Sequence, residues 1–133
     1  MVGDNEVVIF LALPLLNCWA LACDCNKEDF DLAFKKADAV FLGKVVRIDP
    51  ATRSQAYTIS SFQVEKSWNG VQGHKAYIKS GLSMCSFNFR IGKSFLVYSS
   101  EQAPVYTSGC SRSRSESEAQ EDIAKLGKEI PLK

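Results

Sequence analysis

Apolar and polar positions change texture several times along the chain. Residues Val7 to Leu16 read VVIFLALPLL, an apolar run closed by Asn17. Ala20-Leu21-Ala22 follows as a small-x-small site. A hydrophobic region and then such a site is the pattern of a secretory signal peptide. The run is short for a bilayer span, and Pro14 interrupts it. Residues 1–22 are therefore expected to leave on export, although Asp4 and Glu6 stand where Lys or Arg is usual. One domain, 23–133, is expected to remain.

Phe30, Ala33, Phe34 and Ala37 fall at i, i+3, i+4 and i+7. That stripe predicts a helix from Lys27 to Lys36, capped by Asn26, with its phenylalanines as core anchors. From Ala39 the segment AVFLGKVVRI is β-branched and aromatic and predicts a strand, with Gly43 marking a bulge. Asp49-Pro50 and Thr52-Arg53-Ser54 make a polar loop. A second strand runs through YTISSFQVEKSW. Tyr57 and Ile59 have one parity, Phe62 and Val64 the other, which predicts a second bulge at Ser60-Ser61. Asn69-Gly70 signals a tight turn. Further strands are expected at Lys75–Lys79, at Ser94–Tyr98 after a turn at Gly92, and at the edge over Val105–Thr107. A terminal helix is expected on Ala119, Ile123 and Leu126, with Ser115 and Ser117 as caps and Gly127 as its stop. The tail Lys128–Lys133 is expected to be loose. Short bulged strands with two short helices predict a mainly β domain, a small closed barrel of five or six strands. A β-sandwich is the alternative.

The chain has 133 residues, 46% of them hydrophobic and 23% charged, which suits one globular domain and excludes disordered or repetitive classes. A formal net charge of +1 points by itself to no nucleic acid, membrane or acidic ligand. His74 is the sole histidine, so mechanisms and metal sites that need two are excluded. It precedes a strand in a polar stretch and reads as a solvated loop residue. There is no nucleophile elbow, phosphate-binding loop, HExxH or EF-hand pattern. Asp29, Asp31, Asp38 and Glu65 read as caps and solvated faces. Phe41, Trp68, Tyr77 and Tyr98 could stack on bases, but their apolar strand contexts favour core packing. The expectation is a protein that is not an enzyme.

Of 5 cysteines, Cys18 lies in the segment expected to leave. Cys23, Cys25, Cys85 and Cys110 remain, an even set that reads as two disulfides in an exported domain. Cys23 and Cys25 lie too close along the chain to be natural partners, so each is expected to reach a distant cysteine. Each long loop closed this way would contribute about 4 kcal/mol in the chain-entropy account. A zinc site is the alternative, but Cys-x-Cys has the wrong spacing for a zinc knuckle. Cleavage after Ala22 would leave a free α-amine on Cys23. Such an amine has a pKa of about 8 and yields its proton readily when a metal competes for the lone pair. With the Cys23 carbonyl oxygen it would form a chelate suited to the open position of a catalytic zinc.

These residues carry a resemblance. Cys23-x-Cys25, AFKKADAVFLGKV at Ala33–Val45, FQVEKSWNGVQG at Phe62–Gly73, Cys85-Ser86-Phe87, FRIGKSFLVYS at Phe89–Ser99, SGCSRS at Ser108–Ser113 and EAQEDIAKLG at Glu118–Gly127 occur in order. Together they resemble the inhibitory domain of the tissue inhibitors of metalloproteinases, in the netrin-module group. The resemblance implies an oligonucleotide/oligosaccharide-binding (OB-fold) barrel with flanking helices. It implies the pairs Cys23–Cys85 and Cys25–Cys110. It also implies that Cys23 chelates the zinc of a target metalloendopeptidase, that Asp24 enters that enzyme's specificity pocket, and that Cys25 with Leu82-Ser83-Met84-Cys85 completes the contact ridge. No cofactor of its own is implied; zinc would be met only inside the protease. Lys35 stands at the first position of the family's third disulfide. Asp24 stands where the inhibitors carry a small hydroxyl or apolar side chain, so weak inhibition, or a protease with a basic pocket, is expected. The expected state is a secreted monomer with a protein partner, no nucleic acid and no membrane span. The alternatives are a non-inhibitory binding module and an envelope lipoprotein anchored at Cys23.

Overall fold

The computed structural model describes residues 29–81, 87–100 and 111–133. A short helix, α1 (Phe30–Lys36), leads into strands β1 (Ala39–Asp49), β2 (Thr58–Asn69), β3 (Lys75–Ser80) and β4 (Ser94–Ser99). A two-residue strand, β5 (Arg114–Ser115), a 3₁₀ turn (Glu116–Glu118) and helix α2 (Gln120–Leu126) complete the described order. The strands form one antiparallel sheet in the order β3-β2-β1-β4-β5. Among the described residues the ladder stays open, with β3 and β5 at its edges. The protein is thus mainly β, with a five-stranded antiparallel sheet and two short helices.

Alternation along the strands sorts side chains to two faces. On the first face Phe41, Val45, Phe62, Val64, Ile78, Phe95 and Val97 share one core with Phe89, which enters from the segment before β4. Its rings meet edge to face, with centroids 5.3 Å apart for Phe41–Phe62, 5.0 Å for Phe62–Phe89 and 5.2 Å for Phe89–Phe95. That is the favoured arrangement of aromatic quadrupoles. On the second face Val40, Leu42, Trp68, Leu96 and Tyr98 pack against Ala33 of α1 and Ala119 beside α2. The helices cover one end of this face only.

Some expectations are corrected. Helix α1 begins at Phe30, and Asp29 is its cap, its Oδ1 accepting from the Leu32 N–H at 2.8 Å. The proposed cap Asn26 lies outside the described residues. No bulge occurs at Ser60-Ser61, because Arg47↔Ser61 and Ile48↔Ser60 are in register. Ser60 is buried with Phe62 and Val64, while Ile59 is a half-buried outward residue. A small hydroxyl on the inner face had disguised regular alternation. The shift falls instead at Val46, between Val45↔Phe62 and Arg47↔Ser61, and another lies beside Gly43 as expected. The Asn69-Gly70 turn is present; Gly70 has φ +79° and backs so closely on Asp38 and Ala39 that a Cβ there would strike the Asp38 carbonyl oxygen. The caps expected for α2 are also displaced: Ser115 precedes the 3₁₀ turn, Ser117 lies within it, and the N-cap position is Ala119. Arg114–Ser115 is a strand that the pattern did not signal, and the Val105–Thr107 strand lies outside the described residues.

The tail is not loose. Ile130 N–H donates to the Ser67 carbonyl at 2.7 Å, and Lys133 N–H to that of Gln72 at 2.8 Å. Leu132 packs against the phenylalanine core. Trp68 Nε1 donates to the Gly127 carbonyl at 3.0 Å where the strap begins. Short polar tails look free in sequence; this one is held by backbone partners and one leucine.

Candidate functional site

The residues expected to form the contact ridge and the disulfides are Cys23, Asp24, Cys25, Leu82, Ser83, Met84, Cys85 and Cys110. All lie outside the described residues. The described chain resumes downstream of them, at Asp29, Phe87 and Ser111.

The chain leaving Cys110 is held tightly. Arg112 makes a two-point contact with Asp122, Nε to Oδ2 at 2.6 Å and Nη2 to Oδ1 at 2.7 Å. Tyr98 donates its hydroxyl to the same Oδ2 at 2.8 Å. Ser113 grips the end of β4, its Oγ accepting from the Tyr98 N–H at 2.8 Å and donating to the Tyr98 carbonyl at 3.2 Å. Asp122 is only 1% exposed, so its charge is tolerable only because it is paired. Burial pushes its carboxyl up. The hydrogen bonds from Arg112 and Tyr98 and the positive charge of Arg112 outweigh that and hold it below the usual carboxylate range. Burial, then the bond to Asp122, drives the Tyr98 hydroxyl far above its ordinary value. With its two oxygens engaged, Asp122 is a tether between α2, β4 and the post-Cys110 chain and not an acid–base group.

The chain that follows Cys25 meets the same cluster. The Arg112 guanidinium lies 6.0 Å from the Phe30 ring centroid, and the Lys125 ammonium lies 5.6 Å from it. Phe30 stacks on Phe34, with centroids 6.4 Å apart. The chain that follows Cys85 is anchored by Phe87, whose ring centroid is 4.7 Å from that of Phe89 and 5.8 Å from that of Phe95. Phe87, Phe95, Ser113 and Arg114 line one groove of about 580 Å³, with Arg90 and Lys93 at its side. So the chain five residues after Cys25 and the chain two residues after Cys110 meet at Phe30–Arg112, and Phe87 and Ser113, downstream of Cys85 and Cys110, share a groove.

The sequence reading missed Asp122 and Arg112. A signal was present: Asp122 interrupts the Ala119, Ile123, Leu126 stripe at i+3, and a carboxylate in an apolar stripe needs a buried partner. Tyr77 is also corrected. Phe41, Trp68 and Tyr98 are buried as expected, but Tyr77 is 63% exposed. His74 is exposed, ahead of β3. Among the described residues no cluster of His, Cys, Asp or Glu has the makings of a metal site, and no helix is long and apolar enough to cross a membrane. No protein-family model matches the chain, and no curated protein matches it.

Proposed function

We propose that the chain is exported and inhibits a metalloendopeptidase through its processed N-terminus, with the Cys23 amine and carbonyl oxygen occupying the open position of the enzyme's zinc. In this reading Cys23–Cys85 and Cys25–Cys110 are the disulfides, and Asp24 and Leu82–Met84 complete the contact surface. On the same reading the five-stranded sheet belongs to a small closed barrel.

The observation that carries the reading is the contact between Phe30 and Arg112 at 6.0 Å. It brings together the chain that follows Cys25 and the chain that follows Cys110. Extended chain advances at most about 3.5 Å per residue, and Phe30 follows Cys25 by five residues and Arg112 follows Cys110 by two, so a Cys25–Cys110 pair is within reach of this contact. The groove shared by Phe87 and Ser113 supports a nearby Cys85 in the same way. A wedge tied down at several points loses little freedom on binding, which favours affinity. Convergence of β1, β2, β3 and β4 with Phe89 on one core supports a sheet curved toward closure.

Intact mass of the exported protein, native and after reduction and alkylation, comes first. The reading requires cleavage before Cys23, a free amine and two disulfides. Inhibition of matrix-type metalloendopeptidases is then assayed. Weak inhibition that tightens about tenfold or more in Asp24→Thr is the expected result, because the variant removes an unpaired carboxylate from an apolar pocket. One residue added ahead of Cys23 should abolish inhibition. If it does not, or if an acyl chain occupies Cys23, the chelating reading fails.

A further inference from the structure

The helices leave part of the second sheet face uncovered. There Lys75, Tyr77 and Lys79 of β3 point away from the core that Ala76 and Ile78 enter. The register carries this surface across the sheet. Tyr77 lies opposite Ser61, and Ser61 opposite Arg47. Lys75 lies opposite Gln63, and Gln63 opposite Lys44. Beyond β1 the surface continues into the 90–93 turn, because Gly92 N–H donates to the Val45 carbonyl at 2.8 Å and Val45 N–H to that of Lys93 at 2.9 Å.

Two features mark this face. The first is its exposed apolar side chains: Val46 at 50%, Ile91 at 63% and Tyr77 at 63%. The register shift at Val46 leaves both Val46 and Arg47 exposed, and Ile91 sits in the turn bonded beside it. The second is charge. Lys44, Arg47, Lys75 and Lys79 share the face by register, and Arg90 and Lys93 flank Ile91 in the turn while also lining a groove with Glu116 and Glu118. Of the carboxylates beside them, Asp49 pairs with Arg47 at 2.8 Å, and Glu65 accepts from the Ser94 hydroxyl at 3.3 Å and keeps its charge, so the excess of positive charge comes from Lys44, Lys75 and Lys79.

We propose that this face docks on an anionic lipid surface, with Val46 and Ile91 entering the headgroup boundary and the surrounding cations meeting lipid phosphates. Charge complementarity selects an anionic partner. The choice of a membrane over a linear polyanion rests on Val46 and Ile91. Of the three exposed side chains only Tyr77 offers a ring for a base or sugar to stack on, whereas Val46 and Ile91 gain by leaving water, as at a lipid boundary. Tyr77, with an apolar ring and a polar tip, also suits an interface. The face is built from β1, β2, β3 and the 90–93 turn and does not depend on the inhibitor reading.

The test is flotation of the exported protein with phosphatidylcholine vesicles, with and without about one-third phosphatidylglycerol. Binding should appear with the anionic lipid and fall about tenfold or more when Lys44→Glu and Lys75→Glu are combined, since each removes an attraction and adds a repulsion. Val46→Ser with Ile91→Ser should leave folding intact, as these side chains are exposed, and should weaken binding most at high salt, where screening removes the ionic part. Equal binding to neutral and anionic vesicles overturns the proposal. So does unchanged binding by the charge-reversed variant. Capture by heparin or an oligonucleotide without vesicle binding would also overturn it.

Discussion

On one face of the sheet Phe41, Phe62, Phe89 and Phe95 meet edge to ring; on the other, Tyr98 meets α2 through the carboxylate of Asp122. Both interfaces are buried, but they fail in different ways. The aromatic core is non-directional, so it weakens roughly in proportion to the atoms removed. The polar junction is directional. Removing one member takes a buried hydrogen-bond partner from those that remain, and the loss exceeds the net worth of the bonds.

Phe62→Ala should give the largest loss, about 4 kcal/mol, since it deletes a ring that contacts both Phe41 and Phe89. Equilibrium unfolding in urea measures it, and a loss below about 1 kcal/mol would show that the core collapses around the gap.

Asp122→Ala should cost about 3 kcal/mol, because it removes the buried carboxylate that both Arg112 and the Tyr98 hydroxyl bond. Replacing the trio together, with Arg112→Met, Tyr98→Phe and Asp122→Leu, should recover most of that loss, because an apolar cluster of similar volume has no stranded charge. If the triple variant is as unstable as Asp122→Ala, the contrast between the faces is wrong.

Tyr98→Phe removes one bond to a charged acceptor but leaves Arg112 in place, and about 2 kcal/mol is expected. Denaturant midpoints compared with Asp122→Ala give the ordering directly.

Acid sharpens the same comparison. The folded Asp122 carboxyl titrates below its ordinary value, so its contribution is present above the unfolded pKa of about 3.9 and is lost as pH falls through the folded value. Phe62→Ala should keep this acid limb. In Asp122→Ala the limb should be shallower, as read by thermal unfolding across acidic pH.

The smallest effect is expected at Asp29→Ala, about 1 kcal/mol, for loss of the α1 cap. The readout is thermal midpoint, with Asn26→Ala as the control expected to do less. Equal losses would return the cap to Asn26.

Much of the sheet was legible along the chain. β1, β3 and β4 announce themselves by β-branched and aromatic runs, and Asn69-Gly70 by turn chemistry. The Ser60-Ser61 region misled because polarity was taken as facing: Ser60 is a small hydroxyl buried among apolar neighbours. The strap misled for the opposite reason, since Ile130 and Leu132 are too sparse to form a pattern but find partners at Ser67 and on the core. The Arg112–Asp122 pair was only half visible, as an acid in an apolar stripe without a named partner.

What the sequence determined by itself is local: periodicity, the turn at Gly70 and the apolar side chains available for two cores. Those properties depend on neighbouring residues and on backbone geometry. The tertiary structure alone decided that Asp122 is buried against Arg112 and Tyr98, that Tyr77 faces outward, that the chain after Cys25 meets the chain after Cys110, and that the 90–93 turn bonds to β1 at Val45. Each of these depends on strand register and helix placement, which bring distant residues together and leave no trace in the local pattern.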